Sequence, residues 1–388
     1  MTAEVAIVGI GLHPFGRFDG VSAMDMGVYA VRQAMRDAGV DWSQLQFGFG
    51  GSLASSLGGD SANPDTMVGR LGLTGMPFVN VMNGCATAGS ALLMACNTIR
   101  SGAADIGLVV GFDKHPRGAF DPDPRSVGLG EWYGHVGMML TTQFFAMKTN
   151  RYMHDYGISE STLAKVAAKN FRNGAMNPNA WRQKAWGEAE ILDSRMLNIP
   201  LRQYMFCSPD EGGAALIVCR AELARQFTAR PVFVDAVTLK SRRFGSFEVF
   251  SSWLPLESSE SPTVDASRAA YEMAGIGPED VQVAQIQDSE AGHEVMHMAE
   301  NGFCEHGEQE GIIEAGETEI GGRLPINTDG GLIANGEPIG ASGLRQIYEV
   351  CLQLRGQAGE RQVPGGPRVG YTQVYGAPGI GCVTILSV

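Results

Sequence analysis

An α/β fold built from two similar halves is what this sequence predicts, and three observations predict it. Short apolar runs alternate with helical stretches along most of the 388 residues, the alternation starts again near residue 226, and the 52 glycines gather in short turns rather than in a repeat. Repeated β-α-β units imply a largely parallel sheet covered by helices. A chain of this length with 44% hydrophobic residues has core enough for two linked units. Their bounds are read as residues 1–225 and 226–388.

The elements follow in order. VAIVGIG near the start is a first strand, and SAMDMGVYAVRQAMRDAGV is an amphipathic helix ending at Gly39. FVNVMNG is a strand feeding a helix over residues 85–100, DIGLVVGFD is another strand, and ALIVC near residue 215 is one more. A long stretch rich in Met, Asn, Trp and Arg, residues 112–205, reads as an elaborated loop region over a site. After ARPVFVDAVTLKS the rhythm resumes with a helix around SRAAYEMAGI, a strand VQVAQIQD and a helix over SEAGHEVMHMAENGF. A Gly-rich turn, the helix SGLRQIYEVCLQLRG and a strand pair, VGYTQVYG and GCVTILSV, complete it.

Composition narrows the function classes. A net charge of −13 without a basic run argues against nucleic-acid binding. No apolar run approaches the roughly 20 residues that span a bilayer, so no membrane span is expected. The N-terminus lacks the basic and apolar regions of a signal peptide. The seven cysteines are scattered and never form a C-x-x-C pair, which fits a reduced, cytoplasmic protein.

Two local patterns carry chemistry. His293-Glu294-Val295-Met296-His297 matches H-E-x-x-H, which on a helix grips zinc between two histidines with the glutamate as general base. No H-x-x-G-x-x-H extension follows, so the two histidines are read as helix-face residues, His293 facing a substrate pocket, and no metal is expected. The stronger pattern is FVNVMNGCATAGSALLMACNTIR. Cys85 follows a strand and an Asn-Gly turn and opens a helix of small residues, where the dipole and free N–H groups would lower a thiol's pKa.

With these residues in view, the chain resembles the thiolase superfamily, in particular the lipid-transfer or sterol-carrier-protein-x type of thiolase. VAIVGIGLHPFGRF resembles that family's opening strand and NGCATAGSA its nucleophile motif. YGISESTLAKVAAKNFRNGAMNP and YMFCSPDEGGAALIV are similar to its middle, NTDGGLIANGEPIGASGLRQ to its second catalytic loop, and VYGAPGIGCVTIL to its last hairpin. The resemblance implies a thiolase fold, two βαβαβαββ halves in α-β-α-β-α layers, and a homodimer. It also implies an acyl-CoA substrate, with no tightly bound cofactor and coenzyme A present only as part of that substrate.

The departures matter as much. Cys85 matches the family nucleophile, but the family's Gly-His-Pro reads Gly336-Glu337-Pro338, and its His-Asp-Cys-Phe loop reads Gln287-Asp288-Ser289-Glu290, keeping only Asp288. Tyr375 stands about where the family's second Cys would be. An ionised glutamate accepts hydrogen bonds only and cannot donate to a thioester oxygen as imidazole can. The resemblance leaves a thioester pocket and an oxyanion hole of backbone N–H groups, by position Cys85 and Gly379. Such a hole stabilises an enolate as well as a tetrahedral adduct. Retro-aldol cleavage of a bulky, steroid-type β-hydroxyacyl-CoA needs that hole plus a base, for which Tyr375, His293 and Glu337 compete. Thiolytic acetyl-CoA acetyltransferase chemistry through Cys85, and a non-catalytic acyl-CoA-binding subunit, are the alternatives. The pattern resembles lipid-transfer-protein-type aldolases that shorten steroid side chains, and so implies an acyl-CoA-binding partner protein with an OB-fold and zinc ribbon.

Overall fold

The computed structural model describes residues 4–53, 63–246, 248, 259–377 and 379–388, so Pro378 of the closing turn lies outside the described residues. The strands are β1 (Val5–Gly16), β2 (Gly48–Gly51), β3 (Phe78–Val81), β4 (Ile106–Lys114), β5 (Met196–Asn198), β6 (Leu201–Arg202), β7 (Glu211–Arg220), β8 (Val232–Ser241), β9 (Val283–Ile286), β10 (Val369–Gly376) and β11 (Ile380–Ser387). The helices of the first half are α1 (Ala23–Ala38), α2 (Val68–Leu71), α3 (Thr87–Arg100), α4 (Glu131–His135), α5 (Thr141–Tyr156), α6 (Glu160–Ala175) and α7 (Glu188–Asp193). Those of the second are α8 (Pro262–Ala274), α9 (Ala291–Glu300), α10 (Gln309–Glu314), α11 (Gly331–Asn335) and α12 (Ile339–Arg355). A 3₁₀ turn, Ala221–Gln226, lies where the boundary between halves is expected.

Local chemistry sets the helix ends. Ser22 caps α1 and Asp25 reaches back to the cap, a reciprocal box, while Gly39 at φ 65° stops the helix. Met24, Val28, Val31 and Ala34 then turn one face toward Ala6, Val8, Leu108 and Phe112 of the sheet. Helix α8 covers the second half in the same way, with Ala266 and Ala270 packed on Ala236, Val383 and Ile385. Between the halves lie α3 and α12: Leu92, Ala95 and Ile99 share one core with Leu344, Ile347 and Val350, and with Val109, Leu216, Val234 and Val374 from strands of both halves. The order of layers is therefore α-β-α-β-α, as expected.

The sheet is less parallel than the sequence implies. Its nine long-range strands run β3-β2-β4-β7-β1-β8-β11-β10-β9. Only β2–β3, β2–β4 and β9–β10 are parallel, and the five other neighbouring pairs are antiparallel. The physical reason is connectivity. A helix crossover returns a strand parallel, but β7 follows the long α4–α7 segment and β11 follows β10 through a tight turn, so neither is bound by that rule. The half-sheets join at a narrow seam where β1 meets β8 through Ala6–Phe233 and Ile7–Val232.

The start of α12 touches the first half backbone to backbone. A Cβ added at Gly111 of β4 would lie 1.9 Å from the Gly340 carbonyl oxygen. Gly111→Ala is expected to destabilise the protein by about 1–3 kcal/mol, the usual cost of overpacking. Gly69→Ala, on exposed α2 with nothing within 4 Å, should not. Equal urea midpoints for the two variants would show that the approach is not tight.

Candidate active site

The nucleophile turn is held by its own side chains. The Thr87 hydroxyl accepts from the Asn83 N–H at 2.8 Å and donates to the Gly84 carbonyl at 2.6 Å, and the Asn83 amide donates to Ser90 at 2.8 Å. Helix α3 begins at Thr87, two residues later than the sequence suggests, so Cys85 lies in the turn ahead of it. The end of β10 presses against this turn. A Cβ on Gly376 would meet the Ala86 nitrogen at 2.8 Å, and the Ala377 N–H reaches the Cys85 sulfur.

An open cleft of about 530 Å³ lies above the turn, lined by Cys85, Glu337, Tyr375 and Ser289 and by apolar walls that include Phe120, Phe145 and Phe206. Phe120 and Phe145 come from the segment 112–205.

Glu337 stands where it meets Cys85. It is 3% exposed, its N–H donates to the Ser208 carbonyl at 2.9 Å, and one carboxylate oxygen accepts from Gln287 Nε2 at 3.1 Å. The other accepts from the Cys207 thiol at 3.3 Å. The Cys85 thiol bonds to the same carboxylate. Burial first, then the charge and the hydrogen bond of Glu337, push Cys85 well above the ordinary thiol range, against the pull of the Ala377 N–H. This corrects the expected lowering by the helix end: a carboxylate beside a desolvated thiol favours S–H over S⁻. Burial and Glu337 raise Cys207 in the same way.

Tyr375, 2% exposed, lines the same cleft. Its hydroxyl donates to the carboxylate of Glu248, and Lys148 Nζ lies 5.0 Å from its ring centre. His293 sits behind it. The imidazole packs edge-on against Phe145 at 4.4 Å and Tyr375 at 5.6 Å between ring centres, and neither ring nitrogen has a partner among the described residues. Burial, with His297 and Lys148 nearby, drives its pKa well below the ordinary value, so it is a neutral ring one layer from the cleft.

Two expected site residues have other partners. The Asp288 carboxylate accepts from the Leu332 N–H at 2.6 Å, the Ile333 N–H at 3.2 Å and Asn170 at 3.0 Å. It holds the start of α11 rather than lining the cleft, and burial and Glu294 raise its pKa well above the carboxylate range. The Gly379 N–H donates to the Gly376 carbonyl at 2.8 Å, so it is engaged within the turn, and the N–H of this turn that reaches the Cys85 sulfur is that of Ala377. The reason is φ +102° at Gly379, which closes the turn on itself.

The HEVMH segment lies in α9, and its Glu294 and His297 are engaged within the protein. Glu294 is bound by Lys169, by Asn170 at 2.8 Å and by Asn327 at 2.7 Å, all deep in the core. His297 Nδ1 donates to the Gln287 carbonyl at 2.8 Å. Among the described residues no group of three or more His, Cys, Asp or Glu side chains is arranged to hold a metal ion. No helix among them is long and apolar enough to cross a membrane.

Sequence reasoning missed Cys207, Glu248 and Lys148. Cys207 lies within a stretch noted for its resemblance, but nothing local tied it to Glu337, 130 residues away. Glu248 and Lys148 carry no motif at all.

With this geometry in view, comparisons with known proteins agree on one class. The Thiolase N-terminal domain matches residues 5–185 and the Thiolase C-terminal domain-like family matches residues 256–387. The chain belongs to the thiolase superfamily, whose members act on CoA thioesters. Among individual proteins it is 33% identical over 380 residues to an acetyl-CoA acetyltransferase of Methanothermobacter thermautotrophicus, covering 97% of each chain. It is 31% identical to sterol carrier protein 2 of Oryctolagus cuniculus, over 98% of this chain and 71% of that protein. A solved structure, the Ltp2-ChsH2(DUF35) aldolase, superposes with a TM-score of 0.85 at 26% identity, over 99% of this chain and 98% of that one.

The buried His297 makes a pH prediction. Burial lowers its pKa from 6.5 to about 3 in the folded protein, and Lys148 adds to the effect. The unfolded chain takes up this proton near the ordinary value and the folded chain only far below it. The stability linked to His297 is therefore complete above pH 6.5 and is lost as pH falls toward about 3. His297→Asn should flatten the fall in urea-unfolding free energy between about pH 6 and about pH 4, by about 1.4 kcal/mol per pH unit. Equal slopes in the two proteins would refute it.

Proposed function

We propose that this enzyme cleaves the Cα–Cβ bond of a bulky, apolar β-hydroxyacyl-CoA, of steroid type, by a retro-aldol step. The observation that carries this is the pairing at Cys85: its thiol faces the Glu337 carboxylate where acyl transfer needs a proton-accepting imidazole. A thiol raised by desolvation and a neighbouring carboxylate is a weak nucleophile. Tyr375, hydrogen-bonded to a carboxylate, lines the same cleft, and a retro-aldol reaction needs no acyl-enzyme. The thioester oxygen is taken by the Cys85 and Ala377 N–H groups, the Tyr375 oxygen takes the β-hydroxyl proton, and the carbon–carbon bond opens to an enolate and a carbonyl. The Phe120, Phe145 and Phe206 walls suit a rigid apolar acyl group. Coenzyme A enters only with the substrate.

The likeness to an aldolase whose title pairs it with a second component supports a partner subunit here, expected to carry the OB-fold and zinc ribbon, on a homodimer of this chain. A second reading, acyl transfer through Cys85, is favoured by one observation: Glu337 is bonded to the thiol and is placed to take its proton. The relative named as an acetyltransferase supports it too.

Intact-protein mass and product release with a panel of acyl-CoAs separate the two. Release of ketone or aldehyde without free CoA is expected, unchanged within about threefold in Cys85→Ala and reduced by about 100-fold or more in Tyr375→Phe. A thioester adduct on wild type that vanishes in Cys85→Ala would establish acyl transfer instead.

A further inference from the structure

Ser289, 4% exposed, borders the cleft together with Cys85 and Glu337. Its backbone is pinned on both sides. Just before it, the Gln287 N–H donates to Gln373 Oε1 at 3.0 Å, and the Asp288 carboxylate is fastened to the start of α11. Its own carbonyl accepts from the Cys207 N–H at 2.9 Å. The direction of its hydroxyl follows from the side chain two residues earlier. Gln287 Nε2 donates to Glu337 Oε1 at 3.1 Å and to the Ser289 oxygen at 3.2 Å. A carboxylate only accepts, so Glu337 fixes the nitrogen of that amide, rather than its oxygen, toward itself and Ser289. The Ser289 oxygen is therefore an acceptor from Gln287, and its own hydrogen is left to point elsewhere. It has no acceptor among the described residues. The other side-chain donors of the cleft wall are engaged: Cys85 with Glu337, Thr141 with the Phe120 carbonyl at 2.7 Å, and Tyr375 with Glu248.

A buried polar hydrogen without a protein partner, on the wall of a cleft, is placed for a ligand. We infer that Ser289 is a further catalytic residue, donating its hydrogen to the thioester oxygen of the bound acyl-CoA as that oxygen becomes negative. This role rests on the enolate of the retro-aldol reading, and it would serve an enolate formed by any other step at the same carbon. Glu337 cannot donate to that oxygen itself, but through Gln287 it aims a hydroxyl that can. A carbonyl oxygen has two lone pairs, which the Cys85 and Ala377 N–H groups take in the reaction proposed above. An enolate oxygen has a third, so the Ser289 bond forms mainly as charge develops, and a contact made then lowers the barrier rather than tightening ground-state binding. Ser289 keeps its proton throughout, and no covalent bond to it forms or breaks.

Full-chain Ser289→Ala tests this with three readouts. The first is cleavage of β-hydroxyacyl-CoA. The second is exchange of solvent deuterium into the α-carbon of propionyl-CoA, which reports the enolate whatever bond the enzyme breaks. The third is the Kd of an S-alkyl-CoA thioether, which can fill the site but has no thioester oxygen. In Ser289→Ala both rates should fall about 100-fold in kcat, with KM and the thioether Kd within about twofold of wild type. Rates within about threefold of wild type would overturn the assignment. A loss of thioether affinity as large as the loss of rate would overturn it too, since that is the mark of a serine that only holds the loop in place. Wild type that exchanges deuterium but cleaves no β-hydroxyacyl-CoA would sink the retro-aldol reading, and the exchange rate of Ser289→Ala would still decide the role of Ser289. Wild type that does neither would overturn both.

Discussion

The site depends on one close approach, that of the start of α12 to the first half-sheet. Gly340 meets Gly111 and Gly51 with no side chain between them; even a Cβ on Gly340 would lie 2.8 Å from the Gly51 carbonyl oxygen. Asp113 fastens the contact by accepting from Ser52 at 2.7 Å, from the Leu53 N–H at 2.8 Å and from the Gly340 N–H at 2.6 Å. Burial alone would raise the pKa of this carboxyl, but His115 and these hydrogen bonds outweigh it and hold Asp113 below its ordinary value. An ionised carboxylate at a helix N-terminus is electrostatically favourable, so the charge survives in the core. Since Glu337 lies three residues before Gly340, fixing Gly340 against β4 fixes Glu337 over Cys85.

From that placement the electrostatics of the cleft follow. Gln287 and Cys207 occupy the two oxygens of Glu337 from the side away from solvent, which orients the carboxylate toward Cys85 without neutralising it. A histidine here would draw the thiol toward thiolate; a glutamate does the reverse, and desolvation amplifies the difference. The glutamate at position 337 thus leaves Cys85 held as the thiol rather than the thiolate.

Much of this was legible in the chain itself. The strand, Asn-Gly turn and small-residue helix around Cys85, the glutamate at Gly336-Glu337-Pro338 and the tyrosine in the last hairpin are local patterns, and local patterns survive in a sequence. The antiparallel strands were not legible, because alternation of strand and helix reports crossovers and is silent about where β7 and β11 return. Nor were Cys207, Glu248 and Lys148, whose partners lie a hundred or more residues away. A residue whose role is to face another across the core leaves no spacing to read. The H-E-x-x-H match shows the converse. Its spacing is that of a metal site, yet Glu294 is paired with Lys169 in the core, where removing one partner of such a pair typically costs about 3–5 kcal/mol.

The two tyrosines of β10 bring these lines together. Tyr371 and Tyr375 lie four residues apart on one strand face, and the strand's own alternation offers no ground for separating them. Tyr371 is saturated: its hydroxyl bonds to Ser267 and Asn301, each at 2.8 Å, and its ring stacks on Tyr271 at 5.7 Å, within the core between α8 and the sheet. Tyr375 lies beyond the end of that core, where the strand runs past α8 to the nucleophile turn, so its ring borders the cleft and its hydroxyl meets a carboxylate instead of a hydroxyl and an amide. An amide and a serine hold a phenol in place; a carboxylate can also take its proton. What distinguishes the two tyrosines is therefore the partner delivered by the opposite segment, a serine and an asparagine for Tyr371 and a carboxylate for Tyr375.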